Sequence, residues 1–312
     1  MARITIFSCP KPFAPASTAQ IQHNAIRSWK ELGPDVKVML AGNEDGVAEA
    51  AERYGLQHLP EIRQNSFGTY LLSSIFAQAR HGSETPLLAY VNADLILMSD
   101  FLESAFCVSE QAETFVIVGR RWDLDIHEPL SFRGGWEDEL RREVHEGGRL
   151  HSPNGSDYFI FPRACFPVLP DFAVGRSGWD NWMIYHARKE RYPVVDASSS
   201  ICAVHQAHDY GHLPGGRSHH GMPESLRNVE LAGGRQRIFY LGDADYILEK
   251  GSLRRRRFNW KRLGREAEVV AVLYSKSAFW GGVIHAMNHP LKTLRKWRAT
   301  SRIQARHKAD CS

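Results

Sequence analysis

Thr85-Pro86-Leu87-Leu88-Ala89-Tyr90-Val91-Asn92-Ala93-Asp94-Leu95-Ile96-Leu97-Met98 runs apolar to a short polar edge and then turns apolar again. A run bounded in this way predicts a buried strand of an α/β sheet. Ligands of such sheets bind outside the carboxyl ends of the strands. A carboxylate at that place, Asp94, suits a divalent cation held against phosphate oxygens. A simple turn cap after the strand fits the same residues.

Outward from this stretch, the preceding residues alternate strand and helix signals. Residues 4–8 and 36–40 read as strands. Ser17-Thr18-Ala19-Gln20 has the form of a capping box, followed by Ile21, Ala25, Ile26 and Trp29 at helical spacing. Gly33-Pro34 ends that helix. Residues 47–54 predict a second helix stopped by Gly55, and residues 67–79 a third. Strands and helices in alternation imply parallel βαβ units with right-handed crossovers. Beyond residue 100 the expected strands are 115–119, 158–161, 192–197 and 200–204, with helices over 136–146 and 179–190. The organisation expected is one domain over residues 1–248 and a basic, helical extension over 249–312.

Composition is that of a globular protein of 312 residues with ample apolar and aromatic side chains. No apolar run reaches the length of about 18 residues that a membrane span needs. The amino terminus enters a strand-like run directly and lacks the pattern of a signal peptide. Five scattered cysteines without C-x-x-C spacing argue for reduced thiols. Together these predict a cytoplasmic protein. The net charge of +4 hides an asymmetry. Residues 250–312 hold 16 Lys/Arg and 3 Asp/Glu, a balance of +13, against −9 for the remainder. Trp260, Phe279, Trp280 and Trp297 interleave with that basic run. The combination suits an anionic membrane surface at the inner face of the membrane, and equally a solvated helical tail. No nucleic-acid reader motif accompanies the charge.

Three further segments carry candidate chemistry. Ser152-Pro153-Asn154-Gly155-Ser156-Asp157 leads into a strand, and Asp157 could accept hydrogen bonds from a sugar hydroxyl or merely close an Asx-turn. Gly178-Trp179-Asp180-Asn181-Trp182 opens a helix. A carboxylate among aromatic rings can serve as a general base, because desolvation raises its pKa. Trp179 and Trp182 suit the apolar faces of sugar rings. Dipole complementarity at a helix start would also favour Asp180 without any function. In His205-Gln206-Ala207-His208-Asp209-Tyr210-Gly211-His212, three histidines and an aspartate crowd a strand end, and neutral imidazole is the commonest metal ligand. The set matches no zinc spacing.

In order and spacing, these segments over roughly residues 1–212 resemble the GT-A class of nucleotide-sugar glycosyltransferases. They are also similar to bacterial and plant nucleotide-diphospho-sugar transferase-like proteins. The resemblance implies a Rossmann-like α/β fold with a mostly parallel central sheet flanked by helices. It implies Mn2+ or Mg2+ bridging a donor diphosphate, with Asn92-Ala93-Asp94 standing where that class carries D-x-D, its first acid replaced by Asn. Asp94 and His205 are then the metal ligands. Ser8, Asn43, Glu44, Asn92 and Asp94 fall on the donor side, and Asp157, Trp179 and Trp182 on the acceptor side. Asp180 takes the role of base. The activity implied is hexosyl transfer from a nucleotide-diphospho-sugar to a hydroxyl acceptor in glycan or polysaccharide assembly, and a single base opposite the leaving group implies inversion.

Three other readings compete. A nucleotidyltransferase needs a glycine-rich basic loop after the first strand, and Ser8-Cys9-Pro10-Lys11-Pro12-Phe13 is proline-rich with one lysine. A metal-dependent hydrolase would use the 205–212 loop. A non-catalytic nucleotide-sugar or glycan-binding module would explain the Asn at position 92.

Overall fold

The computed structural model describes residues 1–206, 221–257 and 260–274. The chain begins as β1 (Ile4–Ser8), α1 (Ala16–Glu31), β2 (Val36–Ala41), α2 (Val47–Tyr54), β3 (Gln57–Leu59), α3 (Leu72–His81) and β4 (Leu87–Val91). It continues as β5 (Leu95–Ile96), α4 (Asp100–Ser109), β6 (Val116–Val118), β7 (Arg121–Leu124), α5 (Trp136–Gly147), β8 (Arg149–Leu150), β9 (Tyr158–Pro162) and α6 (Trp179–Lys189). β10 (Val194–Asp196), β11 (Ala203–Gln206), α7 (Pro223–Leu231), β12 (Tyr246–Glu249) and β13 (Ser252–Arg255) follow. Residues 257–312 form a separate unit, of which α8 (Trp260–Tyr274) is the described helix.

The expected α/β architecture, a mostly parallel sheet flanked by helices, is present. The large sheet runs β13-β12-β10-β6-β9-β4-β1-β2-β3. β1, β2, β3 and β4 are mutually parallel where they pair, and so are β6, β10 and β12. Only β9 and the edge strand β13 run against their neighbours. From β1 the chain first builds outward to β2 and β3, then returns to place β4 on the other side of β1. That reversal opens a crevice beyond the carboxyl ends of β1 and β4, the place where open α/β sheets bind ligands.

Burial on both faces explains the continuous apolar runs of these strands. One face is aliphatic: Ile4, Ile6, Leu40, Ala89 and Val91 pack beneath Ala25, Ile26 and Trp29 of α1, Val47 and Ala51 of α2, and Phe101 and Ala105 of α4. The opposite face is aromatic. Phe7 meets Phe76 of α3 edge-on at 4.9 Å, Phe76 stacks on Phe161 at 5.7 Å, and Trp179 of α6 meets Tyr90 at 5.2 Å.

A second sheet, β5-β11-β7-β8, packs apolar side chains on both faces of its central strands, Leu95 and Ala203 on one and Ile96 and Val204 on the other. Ile96, Leu124 and Val204 pack against Leu140 and Val144 of α5. Strand alternation then turns Arg121, Asp123 and His205 to the other side. β7 and β11 are parallel with His205 in register with Asp123. The two sheets are joined by Asn92-Ala93-Asp94, the link from β4 to β5.

Several expected boundaries move for local reasons. The capping box at 17–20 does not form: α1 already starts at Ala16 with Pro15 as N-cap, which leaves Ser17 inside the helix. α3 starts at Leu72 rather than 67. Asn65 accepts hydrogen bonds from the backbone N–H groups of Phe67 (2.9 Å) and Thr69 (3.1 Å), and Gly68 takes a φ of +79°, so residues 65–69 form a tight turn. The strand expected over 200–204 lies at Ala203–Gln206. The boundary at 248 falls inside the β12–β13 hairpin, and the first compact unit reaches Arg256. Arg254 and Arg255 are therefore sheet residues, and Arg256 pairs with Asp196 within the same unit.

Candidate active site

Asp94 stands where the two sheets meet. Its backbone carbonyl accepts from the backbone N–H of Gln206 at 3.3 Å, which ties the link to the end of β11. Gln206 is itself fully buried and bonded to Asn24 of α1 at 2.9 Å. On this anchored backbone, Oδ2 of Asp94 faces Nε2 of His205 at 3.6 Å. A carboxylate oxygen facing an imidazole nitrogen is a donor pair that would suit a divalent metal. Among the described residues no group of three or more His, Cys, Asp or Glu side chains is arranged to hold a metal. Among the described residues, Asp94 and His205 are the two side chains that would hold such an ion.

Around this pair runs a chain of charge that the sequence reading did not identify. Nδ1 of His205 lies 3.2 Å from Oδ1 of Asp123. The other oxygen of Asp123 is 2.8 Å from Nδ1 of His151. Burial opposes the charge on Asp123, but His151 and Arg121 outweigh it and hold its pKa below the usual range. Arg121 donates from Nε to Asp123 at 3.0 Å and from its Nη1 to Asp157 at 2.6 Å. Burial works against this guanidinium too. The charges of Asp157, Asp94 and Asp123 prevail and raise its pKa. The only signal in the sequence is the alternation Arg121-Trp122-Asp123-Leu124, four residues long and too short to read as a strand.

Asp157, expected to touch an acceptor, is instead committed within the protein. One oxygen accepts from Nδ2 of Asn92 at 2.7 Å, the other from Arg121, and its residue is 9% exposed. Asn92 is thereby a strut rather than a donor contact. An acid at position 92 would set two carboxylates against each other at hydrogen-bond distance.

Asp180 lies on the far side of Asp157. Gly178, with a φ of +107° that disfavours any side chain, turns the chain into α6 and puts Asp180 in its first turn. Oδ2 of Asp180 accepts from the backbone N–H of Ser156 at 3.4 Å. Burial pushes the carboxyl up to about 6, backbone N–H donors hold it down in part, and the neighbouring charge of Asp157 adds to the rise. A carboxylate poised near neutrality is equipped for general base catalysis.

The two tryptophans are corrected. Trp179 and Trp182 are only 5% and 6% exposed. Trp179 packs on Tyr90 and Phe159, and Trp182 is sandwiched by His186, stacked at 4.5 Å, and Phe172. Trp179 packs α6 on the sheet and Trp182 packs within α6 and on the loop before it, so neither ring offers a platform to a sugar. Ser8 is also corrected: it is fully buried, its hydroxyl has no hydrogen-bond partner among the described residues, and it has no surface to show a donor. Asn43 and Glu44 lie in the loop after β2. Asn43 is exposed, its N–H bonded to the Tyr70 hydroxyl at 2.7 Å, and the charge of Glu44 is felt at Cys9 beyond β1. Burial pushes the Cys9 thiol up to about 12, which removes it as a nucleophile. Of the histidine loop, residues 207–212 lie outside the described residues.

No protein-family model matches the chain, and no curated protein matches it. Among solved structures, it is similar to glucosyl-3-phosphoglycerate synthase from Mycobacterium tuberculosis in complex with Mn2+, uridine-diphosphate and phosphoglyceric acid, with 15% identity, 75% of this chain and 79% of that one covered, and a TM-score of 0.47. The same synthase with Mg2+ and uridine-diphosphate gives 14%, 82%, 87% and 0.45. S. aureus TarS 1-349 in complex with UDP-GlcNAc gives 11%, 88%, 71% and 0.48. Likenesses this distant carry no functional argument, and the reading below stands on this chain's own residues.

Proposed function

We propose that the protein is a metal-assisted glycosyltransferase that moves a hexosyl group from a nucleotide-diphospho-sugar to a hydroxyl acceptor. The observation that carries this is the facing pair Asp94 and His205 at the sheet crevice, with a second carboxylate, Asp180, poised near neutrality beyond Asp157. A bound Mn2+ or Mg2+ would neutralise charge growing on the diphosphate as the sugar–oxygen bond breaks. The imidazole in the ligand pair favours Mn2+ of the two. Asn43 and Glu44 line the nucleotide side. Asp180 takes the proton from the acceptor hydroxyl as its oxygen bonds to the anomeric carbon, and the nucleoside diphosphate leaves with the bonding pair. With one base on the face opposite the leaving group, the product is inverted.

Asp180→Asn separates this enzyme from a binding module, since only an enzyme would lose turnover while keeping its nucleotide affinity. A thermal-shift screen of nucleoside diphosphates and sugar nucleotides, with and without Mn2+, tests the donor side, because a ligand stabilises in proportion to the logarithm of its concentration over Kd. NMR of the anomeric configuration of the product tests the base. Retention removes Asp180 from that role.

Among the described residues no helix is long and apolar enough to cross a membrane. Residues 257–312 contain 12 Lys/Arg and 3 Asp/Glu. We assign this unit to an anionic membrane surface, where glycan or polysaccharide assembly would place the acceptor.

A further inference from the structure

We propose that Asp123 is a positioning residue for the metal site: it holds the far nitrogen of His205 so that the near nitrogen is presented to Asp94. The inference rests on the metal reading above and deepens it.

Three observations on two different levels agree. The first is backbone register. β7 and β11 are parallel and pair His205 with Asp123, so both side chains leave the same face of the small sheet. The second is the contact itself, with Nδ1 of His205 at 3.2 Å from Oδ1 of Asp123 while Nε2 faces Asp94 at 3.6 Å. An imidazole has two nitrogens, and a carboxylate beside one of them favours the tautomer with its proton there, leaving the lone pair on the other. The third is that Asp123 is fixed by groups other than His205. Arg121 donates to it at 3.0 Å and His151 lies 2.8 Å from its second oxygen, so its orientation does not depend on the metal site. His151 follows β8, which pairs with β7 and puts Asp123 opposite Arg149. The His205 imidazole of β11 thus lies between Asp94, just before β5, and Asp123 of β7, which is itself held by His151 after β8. Asp123 and His205 are each 11% exposed, which keeps water from competing for the contact.

The test is made on the full chain with Asp123→Asn, which keeps the shape and removes the charge, beside Asp94→Ala and Asp123→Ala. Mn2+ binding is read from the EPR signal of the free ion, with and without uridine diphosphate as probe. Replacing a carboxylate behind a histidine ligand typically costs about 10- to 100-fold in metal affinity, and D123N should fall in that range. The tautomer of His205 is read independently from long-range proton–nitrogen NMR of metal-free protein, assigned with His205→Gln. Protonation on Nδ1 in the native chain, lost or mixed in D123N, is expected. Unchanged Mn2+ affinity in D123N, where D94A loses it, overturns the positioning role alone. Unchanged affinity in D94A overturns the metal site and this inference with it. If D123N does not fold, the tautomer of the native chain decides: a proton on Nε2 rejects the proposal.

Discussion

The large sheet is built almost wholly of apolar side chains, whereas the small sheet sets buried charge beside its apolar residues. In the large sheet every residue of β1, β4, β6 and β9 is buried, and the side chains are aliphatic or aromatic with few exceptions. In the small sheet Val204 and Leu124 alternate with His205 and Asp123, and Asp94 stands just before β5. Asp94 belongs to the joint between the two sheets, fixed by the end of β4 on one side and by Gln206 of β11 on the other.

The sharpest way to test this contrast is to disable the base without touching either sheet. Asp180→Asn should lower kcat by about 100- to 10,000-fold while nucleoside diphosphate affinity, measured by calorimetry, stays the same. A module that only binds would show no such split. The native pH profile of kcat/KM should fall as pH drops through about 6, because the base must be ionised. The linkage has the opposite sign for stability. A carboxyl whose pKa is raised by folding binds its proton more tightly in the folded state, so its cost is relieved as pH falls from about 6 toward 4. D180N should therefore melt higher than the native chain at pH 7.

Next in size is a test of the packing around α6. Trp182→Ala should destabilise by about 3–5 kcal/mol, read by urea unfolding, as large aromatic truncations in cores do. Trp182→Phe should leave the acceptor KM unchanged. A raised KM with stability intact would return the ring to the acceptor side.

The joint itself can be tested by restoring the missing acid. Asn92→Asp creates D-A-D, yet should gain no Mn2+ affinity and should lose about 1–3 kcal/mol of stability, because the buried Asp157 loses its donor and gains a like charge. The swap N92D with Asp157→Asn should recover part of that loss. Tighter Mn2+ binding by N92D would show that position 92 faces the cation after all. The smallest effect on the fold is expected from deleting residues 257–312, which should leave a folded unit with reduced binding to vesicles rich in anionic lipid. Equal vesicle binding with and without the segment ends the membrane assignment.

Legibility followed the length of the pattern. β1, β2, β4 and α2 stand within a residue of their sequence reading, because long apolar runs and a left-handed Gly55 at the helix end are local signals. α3 was misplaced by five residues, since a turn closed by the Asn65 side chain competes with helical spacing in the same window. Asp94, His205 and Asp180 were legible as charged residues at element ends. Their company was not: Arg121 and Asp123 lie on a strand of four residues.

By itself the sequence determined the alternating elements, the apolar strands that must be buried and the short list of polar residues at their ends, because burial periodicity and turn chemistry act over a few neighbouring residues. Only the tertiary structure decided which of those polar residues meet. Asp157 turned inward to Asn92 and Arg121, the tryptophans went to the core, and His205 came to lie between Asp94 and Asp123, 111 and 82 positions away in the chain. Such pairings depend on strand order and register, which distant segments settle jointly when they pack.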